Sequence, residues 1–303
     1  MKEETKQEIA EILRRVVFCA IPVRWRSSTA TSGAGERRSF YRGPGHDFDA
    51  LDEYMPGDDP RDIDWVATAE TGGQVILKNV YLEPRDLKVF ILADVRPSMN
   101  FGTVRTTKRH LAAELAASVC KAAEETKDRV GFIAYSAGRV EKYVPTRAAK
   151  TAMYPALASI LETAQSADGK GSGLMKALSN LPVSRSLVFV LSDFLHLTGE
   201  EKAALRQAAL RHDVVCLVIQ DRRERELPPG WGFLTIEDLQ TGQRKTIFLS
   251  RRTRERFAAQ FAAHQTALTA FLKEAHCTWQ VVSTEEGDAA IPKIIKLFAS
   301  HTK

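Results

Sequence analysis

The chain has 303 residues, of which 44% are hydrophobic and 27% are charged, as in an ordinary globular protein. No apolar run approaches the roughly 20 residues that a membrane-spanning helix needs, and the charged amino-terminal segment does not resemble a secretory signal. We therefore expect a soluble, cytoplasmic protein. The net charge of +5 permits nucleic-acid binding but does not favour it, because the basic residues are mostly interleaved with acidic ones.

The first 45 residues predict a helix followed by a loop. Apolar side chains recur at helical spacing over residues 3–18, which predicts an amphipathic amino-terminal helix. Residues 24–45 are rich in Arg, Ser and Gly, a composition typical of a flexible loop, here a basic one. The apolar positions of the helix are Ile9, Ile12, Leu13, Val16 and Val17.

The next segment is strongly acidic and contains a turn signal at residues 56–60, Pro-Gly-Asp-Asp-Pro. Ile63 and Trp65 follow the turn and are expected to be buried on its far side. Residues 74–82 predict a strand, so residues 46–86 are expected to contribute to a small β element. The acidic residues, which do not follow the spacing of an EF-hand loop, are Asp47, Asp49, Asp52, Glu53, Asp58, Asp59, Asp62 and Asp64.

From residue 87 onwards, apolar strands alternate with helices. This alternation predicts an α/β core over residues 87–220, with a doubly wound, mainly parallel sheet and helices on both faces. Residues 221–250 interrupt it with two short strands and are predicted to be a β-rich insertion. Residues 251–303 predict a helix, a strand and a closing helix that complete the core. The core strands are predicted at 87–93, 129–135, 139–144, 186–192, 213–219 and 278–283.

Three polar loops are expected to meet at the carboxyl edge of this sheet. Asp94 and Ser98 follow the first core strand, Ser172 lies in a glycine-rich turn, and Asp193 follows the strand at 186–192. Loops after neighbouring parallel strands converge at that edge. Carboxylate and hydroxyl oxygens suit Mg²⁺ or Mn²⁺, so the pattern predicts a divalent-cation site.

The presence of Arg96 leaves open whether a divalent cation binds at this edge. It stands where a metal-binding loop of the form Asp-x-Ser-x-Ser has its middle ligand. A guanidinium is permanently charged and matches a carboxylate as a two-pronged donor. If Arg96 points inward, it pairs with Asp94 or Asp193 and fills the space of the cation. In that alternative the two aspartates order turns and Ser172 caps the following helix, predicted at 174–180.

The sequence shows no clear catalytic constellation, and we expect a non-enzymatic protein. None of the seven histidines stands in an obvious nucleophile–base pattern. One alternative is a metal-dependent phosphoesterase that uses Asp94, Asp193 and the acidic segment. Another is a nucleic-acid adaptor with salt-dependent binding, which would use the arginines of the amino-terminal loop, Arg24, Arg26, Arg37, Arg38 and Arg42.

Residues 42–48, 51–65 and 94–99 resemble the hallmark stretches of the DUF58 family, and residues 221–242 resemble its later part. The resemblance implies a von Willebrand factor A-like domain with a smaller β-rich element. It maps a metal-ion-dependent adhesion site onto the four oxygen-bearing residues above, with Arg96 making the site degenerate. It also implies an adaptor that works with a MoxR-type AAA+ ATPase on the assembly or maturation of protein complexes, for a protein client that the sequence does not identify.

Two surfaces are candidates for docking the ATPase. One is the degenerate adhesion-type site around Arg96. The other is the acidic segment, where Asp58, Asp59 and Arg61 are predicted to bind a partner. The alternative for these three residues is that they hold a tight turn together.

Overall fold

The computed structural model describes residues 3–17, 47–72, 74–82, 88–103, 106–162, 171–237, 239, 242–286 and 293. The chain divides into two compact units, the first made of residues 1–25 and 87–303, the second of residues 26–86. The predicted basic loop at 24–45, with its five arginines, lies outside the described residues. So does almost all of the closing helix predicted over 288–300.

The described elements largely follow the predicted order. The strands are β1 (Asp47–Glu53), β2 (Leu77–Leu82), β3 (Lys88–Asp94), β4 (Arg129–Ser136), β5 (Arg139–Ala148), β6 (Leu187–Ser192), β7 (Asp213–Gln220), β8 (Gly232–Glu237), β9 (Arg244–Leu249) and β10 (Thr278–Ser283). The helices are α1 (Glu3–Val17), α2 (Trp65–Glu70), α3 (Lys108–Glu125), α4 (Ala149–Glu162), α5 (Gly173–Ser179), α6 (Gly199–Ala209), α7 (Arg222–Arg225) and α8 (Arg251–Glu274). Short 3₁₀ helices span Pro60–Asp62 and Pro97–Asn100.

The first unit is built on a six-stranded sheet in the order β10-β7-β6-β3-β4-β5. All neighbours run parallel except β5, which pairs antiparallel with β4 at one edge. The order reverses at β3, because the chain moves outward through β4 on one side and through β6 on the other. This confirms the predicted doubly wound, mainly parallel sheet.

The sheet is covered on both faces, which explains why its central strands are almost uniformly apolar. Val89 and Ile91 of β3 pack in one core with side chains of α1, α3 and α4. The alternate residues Phe90 and Leu92 pack in a second core with α5, α6 and α8. The strand periodicity of two thus divides β3 between the two layers.

In the second unit, β1 and β2 form a two-stranded antiparallel sheet beside α2. The prediction that Trp65 is buried is wrong, because its side chain is 67% exposed. Trp65 is the first residue of α2, and this short helix buries only Thr68. Ile63 is half-buried and forms an isolated bridge with Lys78.

The predicted strands within residues 221–250 form a separate hairpin in the first unit. β8 and β9 pair antiparallel, from Gly232 opposite Leu249 to Glu237 opposite Arg244. No described helix combines the length and the apolarity needed to cross a bilayer.

Candidate functional site

The predicted loops meet where the strand order reverses. β3 ends at Asp94, and β6, its neighbour, is followed directly by Asp193. In open α/β sheets this reversal leaves a crevice at the carboxyl ends of the strands, where ligands bind. Both aspartates are almost completely buried, so each carboxylate requires a compensating charge or hydrogen bonds.

Arg96 points inward and pairs with Asp94. Its Nε lies 3.0 Å from Oδ1 and 2.9 Å from Oδ2 of Asp94, and its Nη2 donates to the same carboxylate. The backbone N–H of Arg96 also donates to Oδ1, at 3.0 Å. Burial by itself would lower the pKa of Arg96, but the charge of Asp94 raises that pKa above its ordinary value. Of the two alternatives left open by the sequence, the structure therefore contains the one in which Arg96 points inward and pairs with an aspartate.

Arg96 also joins the loop after β3 to the loop after β6. Its Nη1 donates to the backbone carbonyl of His196 at 3.3 Å. The Ser192 hydroxyl donates to Oδ2 of Asp94 at 2.7 Å and accepts the backbone N–H of Phe194 at 3.1 Å. These bonds fix two loops that the sequence separates by about a hundred residues.

Lys108 is the second cation of the site and is fully buried. Its Nζ lies 2.8 Å from Oδ2 of Asp193 and 2.5 Å from Oε1 of Glu224. Burial by itself would lower the pKa of Lys108, but the two carboxylates raise it. Sequence analysis missed this residue, because a lysine in the first turn of a helix is usually solvated. Glu224 was missed as well, because no sequence pattern around α7 indicated that this residue belongs to the site.

The two serines of the predicted metal site differ in their surroundings. Ser98 is half-buried in the 3₁₀ helix Pro97–Asn100. Ser172 is buried, and its hydroxyl donates to Oε2 of Glu200 at 2.6 Å and lies 3.1 Å from the hydroxyl of Thr198. Its side chain makes no capping bond to α5, so the cap proposed for Ser172 is wrong. The hydroxyl is directed to the start of α6 instead.

The described side chains do not fit a divalent cation at this crevice. Asp94 is engaged by Arg96, Asp193 is engaged by Lys108, and Ser172 donates to a carboxylate. Two buried positive charges would repel a metal ion between them. Among the described residues, no group of three His, Cys, Asp or Glu side chains is placed to hold a metal. Binding of Mg²⁺ or Mn²⁺ here stays a prediction that the charge arrangement does not favour.

A further buried carboxylate, Asp221, ties the neighbouring loops together. It accepts the hydroxyl of Thr103 at 2.6 Å and that of Thr284 at 2.7 Å. Burial by itself would raise the pKa of Asp221, but these hydrogen bonds hold it below its ordinary value. Thr103 lies in the segment after β3, and Asp221 and Thr284 follow β7 and β10. Asp221 therefore connects the segments that follow three strands of the sheet, β3, β7 and β10.

In the second unit, the predicted docking residues take part in a turn. Oδ2 of Asp58 accepts the backbone N–H of Met55 at 2.8 Å and pairs with the buried Lys78. Oδ1 of Asp59 accepts the backbone N–H of Arg61 at 3.0 Å and caps a 3₁₀ helix. These bonds hold a turn together, which is the alternative to partner binding that the sequence analysis gave for these residues. Partner binding by Asp58, Asp59 and Arg61 stays a prediction.

The profile of the family described as protein of unknown function DUF58 matches residues 51–267. This range includes the crevice, the turn at Asp58 and the β8–β9 hairpin. The chain belongs to the DUF58 family. The resemblance inferred from residues 42–48, 51–65, 94–99 and 221–242 is thereby confirmed.

The chain is also similar to individual proteins and to solved structures. Uncharacterized protein Rv1480 of Mycobacterium tuberculosis is 26% identical over 272 residues, 89% of this chain and 84% of its own. The structure of conserved hypothetical protein BatB from Bacteroides thetaiotaomicron covers 71% of this chain and 98% of its own, with 17% identity and a TM-score of 0.44. A von Willebrand factor type A structure from Catenulispora acidiphila covers 48% and 35%, with 15% identity and a TM-score of 0.31. Both scores lie below 0.5, and the fold of this chain is defined by the sheet order above.

Proposed function

We propose that this DUF58 protein is a non-enzymatic interaction adaptor that docks a MoxR-type AAA+ ATPase through the carboxyl edge of its sheet. ATP hydrolysis then belongs to the ATPase, and the adaptor connects it to a protein client during assembly or maturation of a complex. Docking at this edge does not require a bound metal. The family resemblance in the acidic segment and in the loop after β3 supports the choice of partner.

The observation that carries the proposal is that two cations of the chain itself are paired with the two aspartates of the predicted metal site. Arg96 neutralises Asp94, and Lys108 neutralises Asp193. In an adhesion-type site, a metal holds the loops together and completes its shell with a carboxylate of the partner. Here the chain's own side chains hold the loops, so the edge is ordered before any partner arrives. Preorganised surfaces bind with a smaller entropic cost.

The partner would contact the exposed rim of the edge, since Arg96 itself is almost completely buried. His196 is exposed in the loop after β6, and its carbonyl accepts a hydrogen bond from Arg96. Arg96 is thus a positioning residue for docking, and His196 is a direct contact.

Binding of the full chain to the MoxR-type ATPase of the same organism tests the proposal. We expect binding to persist in EDTA with the nucleotide-free ATPase. We expect Arg96→Ser to weaken it at least about tenfold, equivalent to about 1.4 kcal/mol. His196→Ala keeps the buried ion pairs and should weaken binding without lowering the thermal unfolding midpoint.

Arg147→Ser is the matched control. Arg147 is exposed at the end of β5 opposite the start of β4, on the other edge of the sheet. This variant should bind as the wild type does. Absence of wild-type binding, or binding that both Arg96→Ser and His196→Ala leave unchanged, would contradict docking at this edge.

A further inference from the structure

The β8–β9 hairpin presents an aromatic face to solvent. Phe233 opposite Phe248, Thr235 opposite Thr246 and Glu237 opposite Arg244 lie on the same face. All six residues are exposed, whereas the alternate positions, among them Leu234 and Leu249, are half-buried or buried, with the exception of the exposed Lys245. One face of the hairpin is thus largely covered by the rest of the protein, and the face that carries the aromatic side chains is not.

Trp231 extends this face at the base of the hairpin. Its side chain is 83% exposed, and that of Phe233 is 81% exposed. The rings of Trp231 and Phe233 each pack edge-on against Phe248, with centroids 5.2 Å and 5.3 Å apart. Three clustered, exposed aromatic side chains are uncommon on a free protein surface and are typical of interaction sites.

Positive charge lies beside the aromatic cluster. Helix α8 begins two residues after β9, and its first six residues contain four arginines and one glutamate. Arg254 donates from Nη1 to the carbonyl of Gly230 at 2.6 Å, which holds this basic turn against the segment leading to Trp231. Arg252 and Arg256 are exposed and form no ion pair with any described residue. The amino-terminal end of the helix adds further positive potential.

The hairpin also offers unpaired strand edges. In the described part of the chain, β8 and β9 pair only with each other, so each has one edge without a strand partner. An exposed edge supplies backbone donors and acceptors to an extended peptide, which adds to the sheet as a further strand. Side chains of such a peptide alternate between the two faces.

From these observations we infer that the hairpin binds an extended, acidic protein segment whose apolar side chains cover Trp231, Phe233 and Phe248. The acidic side chains of that segment face the arginines at the start of α8. The inference goes beyond the proposed function, because it describes a second surface and the chemistry of a client. It uses none of the residues at the carboxyl edge.

The geometry favours a protein segment over a nucleic acid or a membrane. The aromatic rings pack edge-to-face, so they do not form the parallel platform on which bases stack. The cluster lies at the base of the hairpin, whereas the turn between Glu237 and Arg244 lies at the other end. Interfacial anchors present an apolar face to the lipid, whereas the aromatic face of this hairpin also carries the charged Glu237 and Arg244.

The test measures binding of the full chain to a fluorescent peptide in which glutamate alternates with leucine and phenylalanine. We expect binding that weakens with salt and that Trp231→Ala reduces about 30-fold, as for an interface hot spot. Arg252→Glu combined with Arg256→Glu should also reduce binding. Leu210→Ala is the matched control, because Leu210 is an equally exposed (83%) apolar residue on another element.

Three outcomes overturn the inference. The first is that the peptide does not bind, or binds Trp231→Ala as tightly as the wild type. The second is equal binding of the same peptide with lysine in place of glutamate. The third is Trp231-dependent binding of phosphatidylserine vesicles or of a single-stranded oligonucleotide in preference to the peptide.

The experiments distinguish failure of the proposed ATPase docking from failure of the proposed peptide binding. Trp231→Ala should retain the affinity for the ATPase, and Arg96→Ser should retain the affinity for the peptide. Loss of peptide binding by Trp231→Ala supports the inference only if its thermal unfolding midpoint equals that of the wild type.

Discussion

Arg96 places a permanent positive charge at the carboxyl edge of the sheet, where the sequence predicted a metal ion. A divalent cation would exchange with solvent and respond to metal concentration, whereas a guanidinium is fixed to the chain and charged at every physiological pH. Its side chain bonds to Asp94 at the end of β3 and to the carbonyl of His196 after β6. The interaction that orders the two loops is therefore permanent in the folded protein.

Arg96→Ser should convert the crevice into a metal site. In the wild type we expect no heat on titration with Mg²⁺ or Mn²⁺, because Arg96 neutralises Asp94. The serine frees that carboxylate and adds a hydroxyl ligand, so the variant should bind the cation. Without metal it should lose about 3–5 kcal/mol of unfolding free energy, because it leaves a buried charge unpaired. Calorimetric titration and urea denaturation measure the two effects.

The control for this variant is Arg147→Ser, which removes an exposed arginine from the opposite edge. It should neither bind metal nor lose stability. Metal binding by the wild type would show that the adhesion-type site survives its substitution, and it would contradict the role assigned to Arg96.

Asp193 and Glu224 share Lys108 but should differ in their contributions to stability. Burial by itself would raise the pKa of Asp193, but Lys108 and Arg96 hold it below its ordinary value. Burial raises the pKa of Glu224 despite Lys108. At pH 7 we therefore expect Asp193→Asn to cost about 3–5 kcal/mol in urea denaturation. Glu224→Gln should cost clearly less.

The pH dependence of this difference follows from the sign of the Asp193 shift. The stabilisation by ionised Asp193 is fully present above the pKa of an unfolded aspartate, about 3.9, and is lost as the pH falls through the lower folded pKa. The gap between wild type and Asp193→Asn should be constant above about pH 5 and shrink below about pH 4. A gap that widens on acidification would contradict the pairing of Asp193 with Lys108.

The carboxyl edge depends on how closely its elements approach one another. Helix α5 begins at Gly173, directly after Ser172, and a Cβ added there would overlap the carbonyl oxygen of Ser136 at the end of β4. The glycine is therefore needed for packing. The glycine-rich composition at 169–173 predicted a turn, but the contact with β4 became visible only in the fold.

Gly173→Ala should destabilise the protein by about 1–3 kcal/mol, because β4 and α5 must separate. Gly199→Ala is the matched control, since Gly199 also begins a helix but a Cβ there meets nothing within 4 Å. That substitution should be neutral or stabilising by up to about 1 kcal/mol. Chemical denaturation of both variants checks the contrast, and equal effects would contradict the packing argument.

Strands and helices were predicted most accurately where their hydrophobic pattern is continuous. The apolar run of β3 and the helical spacing in α1 are local properties, and both elements lie within a few residues of their predicted bounds. β1 was not predicted, because five of its seven residues are acidic or alanine and its partner β2 lies about 25 residues later. Trp65 was predicted to be buried from its residue type alone, although the short helix that carries it buries another face.

The first unit is discontinuous in sequence, because α1 belongs to it although residues 26–86 form the second unit in between. Ile9, Ile12 and Val16 of α1 are buried in the core that α3 and α4 share with the sheet. Closing a chain over such a distance has an entropic cost that these contacts must exceed.

Ile12→Ala should therefore lower the unfolding free energy of the whole chain by about 2–5 kcal/mol, as for other buried side chains of this size. Leu13→Ala is the control, because Leu13 is only partly buried at the rim of the same core. It should cost clearly less in urea denaturation. Equal losses would show that α1 does not dock as described.

The sequence by itself determined the alternation of strands and helices, the parallel sheet and the meeting of Asp94 with Asp193 at its carboxyl edge. Each follows from local periodicity and from the rule that parallel strands require crossover helices. Only the tertiary structure decided that Arg96 turns inward and that Lys108 enters the site. Lys108 lies 85 residues from Asp193 and 116 from Glu224. A buried charge selects its partner by distance in space, and no pattern along the chain records that distance.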